Sequence, residues 1–248
     1  MKRFYPCLVM CGLALGLAAC SDSETGTENG HEWVDLGLPS GTKWATCNIG
    51  ADNPADNGNY YSWGEVTTKD AYSWNNYTHG AKEALTKYCT KSAFGDQGVA
   101  DGETTLDDED NAARVNWGGD WTMPTKAQID ELQKECVWVW TIDYNNTNVK
   151  GCIVYKAKKD ADKGKFARDG ELKSYSLNDT HIFLPAAGFR IDTGLGYVGS
   201  YGGYWTLTLD ERFQTGAWSV YFNSEKKYEY GEGYRCYGQS IRPVITED

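Results

Sequence analysis

The stretch from Leu106 to Trp140, LDDEDNAARVNWGGDWTMPTKAQIDELQKECVWVW, constrains the fold most, because it alone reads as helix, tight turn, helix and strand in succession. Asp107 or Asp108 is placed to cap a short helix carrying Ala112, Ala113 and Val115, and Gly118-Gly119 stops that helix where a positive φ costs little. Pro124 closes the turn. Thr125 then stands three residues before Gln128, the spacing of a capping box. Ile129, Leu132 and Cys136 share one face of the second helix, opposite Lys126, Asp130, Gln133 and Lys134. From Val137 the period drops to two, with Trp138, Trp140 and Ile142 alternating against Val139 and Thr141, as in a strand that packs one face.

The rest of the chain reads as β structure and loops. Glu32 to Leu38 and Thr42 to Ile49 flank Pro39-Ser40-Gly41 as an opening hairpin. Residues 50–80, rich in Asn, Asp, Gly and aromatics, predict long ordered loops, and Ala81 to Thr90 predicts a short helix. Lys150 to Lys156 reads as a strand, and Lys156 to Lys173 as a charged, exposed loop. Thr180 to Ala186, Gly203 to Leu209, Ala217 to Phe222 and Ser240 to Ile245 follow as strands. The expected class is α+β: two short helices packed on a twisted, mainly antiparallel sheet with long loops.

The amino terminus has the form of a signal. Lys2 and Arg3 precede an apolar run, Leu8 to Leu17, too short for a membrane anchor, and Leu17-Ala18-Ala19 offers a small-residue cleavage site. Leu-Ala-Ala-Cys resembles a bacterial lipobox, which implies cleavage before Cys20 and lipidation of that residue. Acyl chains would then anchor the protein. The polar, acidic stretch from Ser21 to Gly30 reads as a tether. Its place beside the lipid resembles the surface-export signal of Bacteroidetes lipoproteins. The organisation expected is therefore signal 1–19, lipid-anchored tether 20–30 and one domain 31–248. A formal charge of −11 speaks against nucleic acid as a partner. Cys47, Cys89, Cys136, Cys152 and Cys236 remain beyond Cys20, with no zinc-ligand spacing, and Cys47 with Cys136 is the disulfide favoured.

Several motifs occur in order along the chain: Trp33 to Gly41 (WVDLGLPSG), Trp44 to Gly50 (WATCNIG), Tyr61 to Glu65 (YSWGE), Asn116 to Thr125 (NWGGDWTMPT), Ile182 to Gly188 (IFLPAAG) and Gly238 to Val244 (GQSIRPV). Together they resemble the Fibrobacter succinogenes major paralogous domain family of exported Bacteroidetes and Fibrobacteres proteins. Thr122 stands where that family usually has Arg. The helix with Ala112-Ala113, followed by Met123-Pro124-Thr125 and the second helix, is similar at greater distance to formylglycine-generating and C-type lectin-like domains. The resemblance implies a C-type lectin-like fold, in which terminal strands meet and long loops bind.

The residues offer little for catalysis. None of His31, His79 and His181 belongs to a nucleophile or zinc motif, and Gly194 to Gly199 matches GxGxxG between strands, with no helix to receive a phosphate. Asp101, Glu103, Asp107, Asp108, Glu109 and Asp110 are the best calcium candidates, the four Asp foremost, although a solvated acidic helix start is the plainer reading. The EPN, QPD and WND triplets of calcium-dependent lectins are missing. Aromatics make up 14% of the chain, and Trp63, Trp74, Tyr77, Tyr197, Tyr201 and Tyr204 lie in or beside Gly/Asn-rich loops, where rings can stack on a ligand.

The function expected is that of a surface-exposed outer-membrane lipoprotein, non-catalytic, binding a glycan or a cell-surface protein. Its membrane contact would be the lipid anchor alone, with no cofactor unless calcium. The alternatives are a structural or accessory part of a surface appendage or adhesin assembly, and then an enzyme of the formylglycine-generating type.

Overall fold

The computed structural model describes residues 24–246, except for the side chains of residues 229–232. The signal 1–19 and Cys20 lie outside the described residues.

The first element corrects the expected tether. Thr25–Glu28 is a strand, β1, paired antiparallel with β2, His31–Asp35. Asn29 and Gly30 both take positive φ between them, which is the hairpin chemistry of an Asn-Gly turn. Gly26 lies under the Trp33 ring, where a Cβ would come within 2.3 Å of it, and Trp121 Nε1 donates to Glu28 O at 2.8 Å. A polar segment is thus held by aromatic side chains of the domain. β3, Lys43–Ala45, pairs with β2 as the expected opening hairpin, Val34 opposite Trp44.

Instead of the helix expected over residues 81–90, a short hairpin forms from β4, Gly80–Ala81, and β5, Ala84–Leu85. Tyr88 takes φ +60°, and the Asp101 carboxylate accepts from the Tyr88 and Cys89 amides at 2.5 and 2.8 Å. These contacts hold the chain in a conformation that no helix can continue.

The central stretch folds close to expectation. A 3-10 turn at Asp108–Asp110 leads into helix α1, Ala112–Trp117. The cap is Asn111 rather than Asp107 or Asp108, and its Oδ1 accepts from the Ala113 and Arg114 amides at 3.2 and 3.3 Å. Helix α2, Lys126–Glu135, has the Thr125–Gln128 capping box.

β6, Val137–Thr141, is buried on both faces. Trp138 and Trp140 face a core shared with Leu132 of α2, while Val137 and Val139 join Ile153, Tyr155 and Phe183 in a second cluster. The one-face expectation fails because residues expected to form an exposed loop, Ala157 and Leu172, cover the other side together with Tyr175 just beyond it. β7, Gly151–Tyr155, pairs antiparallel with β6, and β8, Phe166–Arg168, pairs parallel with it from within that same expected loop. β9, His181–Pro185, completes this four-stranded sheet beside β7.

A small hairpin follows, β10, Phe189–Ile191, with β11, Gly194–Gly196. β12, Gly202–Leu209, β13, Gly216–Phe222, and β14, Lys227–Tyr234, make a three-stranded antiparallel sheet. β15, Val244–Ile245, is shorter than the strand expected over residues 240–245, and it pairs with β3. The chain is therefore α+β with mainly antiparallel pairing. Among the described residues no helix is long and apolar enough to cross a membrane.

Candidate functional site: an aromatic cleft

The β10–β11 hairpin, the β12–β13 turn and the face of β14 enclose a surface cleft of about 730 Å³. Phe189, Tyr197 and Tyr201 form one wall, Phe213 and Thr215 lie at the β12–β13 turn, and Tyr221, Tyr228, Gly233, Tyr234 and Tyr237 complete the lining. No charged side chain is among these described lining residues.

The wall is built on an unusual backbone. Tyr197 has φ +64°, a conformation that costs a bulky L-residue free energy. It is held there by the amides of Ser200 and Tyr201, which donate to Tyr197 O at 2.9 and 3.0 Å. Gly188 lets this segment approach, since a Cβ there would come within 2.0 Å of Gly196 O. The Tyr197 ring, with its residue 57% exposed, stacks on Phe189 at 4.9 Å and meets Tyr201 edge-on at 5.7 Å. On the sheet side, Tyr221 stacks with Tyr228 at 6.0 Å. Trp74 packs edge-on against Tyr234 from behind at 6.0 Å, and Lys82 Nζ donates to the Tyr234 hydroxyl at 3.2 Å.

Of the six aromatics expected to bind, the cleft gathers Tyr197 and Tyr201, and half-buried Trp74 backs it. The other three are core. Trp63 is 0%, Tyr204 1% and Tyr77 6% exposed. Their polar tips are satisfied inside: Trp63 Nε1 donates to Thr206 O, Tyr77 OH to Trp63 O and Tyr204 OH to Pro185 O, each at 2.8 Å. A ring enclosed in this way cannot stack on a ligand. The strand residues Tyr221, Tyr228 and Tyr234 were missed, although the density of Tyr between Lys226 and Gly238 was a usable signal.

The acidic cluster lies elsewhere. Asp107, Glu109 and Asp110 bring carboxylate oxygens within 4.8 Å of one another, a spacing that could hold a cation. Lys87 Nζ already contacts all three, at 2.8, 2.9 and 2.7 Å respectively. Burial works against the Lys87 ammonium, but hydrogen bonds to Asp107, Asp110 and Glu109 outweigh it and hold its pKa well above the usual lysine value. Of the expected calcium set, Asp107, Glu109 and Asp110 are in the cluster. Asp101 instead caps the Tyr88 and Cys89 amides, and exposed Asp108 lies 3.6 Å from Arg114.

The expected Cys47–Cys136 disulfide is not formed, and both thiols are free. Cys136 is buried in the core beneath α2, whereas half-buried Cys47 neighbours Thr46 and feels the Arg242 charge. Burial raises the Cys136 and Cys236 thiols to about 12 and the Cys152 thiol well above its ordinary value. That is the reverse of what a reactive thiolate needs.

Comparison with protein-family models, with curated proteins and with solved structures finds no match for this chain.

Proposed function

We propose that this chain is a non-catalytic binding module that engages an extended ligand in the aromatic cleft. The observation that carries this reading is Tyr197, an exposed ring on a left-handed backbone. Stacking on Phe189 offsets only part of the cost of that conformation, and strain of this kind concentrates at functional positions. The buried, raised thiols of Cys136, Cys152 and Cys236 favour binding over oxidation chemistry. The chain is read as a lipoprotein anchored through Cys20, displayed on the outer membrane, and a member of the Fibrobacter succinogenes major paralogous family. A C-type lectin-like fold is part of this proposal. The pairing of β15 with β3, which brings the two ends of the domain together, supports it.

A second reading, an accessory component of a surface appendage or adhesin assembly, draws on the exposed side chains of Ile191, Leu195 and Val198 beside the cleft. The test screens the full chain on arrays of glycans and of surface proteins, with the Tyr197→Gly and Phe213→Ala variants alongside. Binding that both variants weaken supports the cleft reading. Binding indifferent to both overturns it.

A further inference from the structure

We infer that the cleft takes an uncharged glycan chain several sugar residues long, held by ring stacking and without calcium; this rests on the binding reading above. Three observations point to that ligand.

The first is the succession of rings. Tyr201, Tyr197, Phe189, Tyr221 and Tyr228 follow one another with neighbouring centroids 5.7, 4.9, 6.1 and 6.0 Å apart. Within it are two stacked pairs, Phe189 with Tyr197 and Tyr221 with Tyr228, and Phe189 meets Tyr221 at 63°. A single sugar needs one platform. Exposed Tyr197, backed by Phe189, and half-buried Tyr228, backed by buried Tyr221, are two platforms set at an angle along an open cleft, which suits successive units of a chain, each laying its C–H face on a ring.

The second is the polar chemistry. Tyr197 and Tyr201 present hydroxyls that make no hydrogen bond among the described residues, and Thr215 adds another hydroxyl to the lining. Hydroxyl groups both donate and accept, which matches the hydroxyls around a sugar ring. A peptide of ordinary composition carries about one charged residue in four, whereas the described lining is itself uncharged, with Lys82 and Lys226 meeting it at the Tyr234 and Tyr228 rings. Desolvating a peptide's charges there would cost binding free energy. The same argument places a neutral chain ahead of a uronic-acid chain.

The third is the separation from the acidic cluster. Neither Asp107, Glu109 nor Asp110 lines the cleft, and Lys87 already sits among them. Recognition in the cleft is therefore separate from the acidic cluster found among the described residues.

The test titrates the full chain with cello-, laminari- and manno-oligosaccharide ladders and with an oligogalacturonide ladder, from two to six residues each, in calcium and in EDTA. The expected result is a neutral series whose affinity rises about tenfold or more with length, is unchanged by EDTA, and falls about tenfold in both Tyr197→Gly and Phe213→Ala. Preference for the uronides, loss in EDTA, or affinity independent of length overturns the inference. If no ladder binds while a surface protein is captured in a Tyr197-dependent manner, the glycan inference fails and the cleft reading stands. If neither class of ligand depends on Tyr197 or Phe213, both fail.

Discussion

Tyr197 stacks on Phe189 with ring centroids 4.9 Å apart and planes 20° from parallel, while its own backbone stays at φ +64°. The two features oppose each other energetically. A left-handed residue costs roughly 1–2 kcal/mol, and an aromatic pair returns roughly 0.5–1.5 kcal/mol. Tyr197→Gly relieves the first, forfeits the second and adds some unfolded-state entropy. Its stability is expected to stay within about 1 kcal/mol of wild type by urea unfolding, while ligand binding drops. A loss of several kcal/mol would instead make Tyr197 a structural residue.

Lys87 stands where a cation would sit among Asp107, Glu109 and Asp110. Lys87→Met leaves those carboxylates facing one another, and should lower stability by about 1 kcal/mol, as expected for a largely exposed cluster. Millimolar calcium should recover part of that loss in the variant and leave the wild-type melting temperature unmoved. Wild-type stabilisation by calcium, reversed by EDTA, would show that the ion competes successfully with Lys87.

Arg242 is buried and forms no ion pair among the described residues. Its guanidinium donates to Asn48 Oδ1 at 2.9 Å, to the Ala45 and Thr46 carbonyls at 3.0 and 2.9 Å, and to Phe183 O at 2.9 Å. One side chain thus ties the segment after β3 to β9. A lysine ammonium cannot reproduce that planar fork. Arg242→Lys and Arg242→Met are both expected to cost about 3 kcal/mol in chemical unfolding, because buried oxygen acceptors lose their charged donors. A lysine variant of wild-type stability would refute this role for the fork geometry.

What could be read from the chain follows the range of each interaction. Helix α2 was legible because its cap, Thr125 with Gln128, and its apolar face are local, as were the alternating segments that became β7, β9, β12 and β13. β8 was not legible, since its stability comes from parallel pairing with β6 across an intervening charged segment. The cleft was legible only in part. Gly-rich surroundings marked Tyr197 and Tyr201, yet the same cue selected Trp63, whose indole is sealed in by Tyr88 and Thr206. The opposite wall comes from strands, and only pairing of β13 with β14 brings Tyr221 beside Tyr228.

Alkaline pH should destabilise the fold through its buried thiols. Burial holds Cys136 and Cys236 near 12 against an ordinary value of 9.0, and Cys152 also well above it. Above pH 9 the unfolded chain therefore releases protons that the folded chain keeps, and stability falls as pH rises. Each thiol contributes up to about 1.4 kcal/mol per pH unit. Lys227 acts in the opposite sense. Burial lowers it from 10.5 to about 8, so between those values the unfolded chain holds a proton that the folded chain has released, and stability rises. Its amine donates to Gln133 O near the end of α2, beside Cys136 and Cys152. Urea midpoints from pH 7 to 11 should thus rise slightly between 8 and 9 and then decline. Lys227→Met should remove the rise and stabilise the protein at pH 7 by about 1 kcal/mol, because an uncharged side chain incurs no desolvation there. A wild-type midpoint flat through pH 10 would show that these thiols titrate alike in both states.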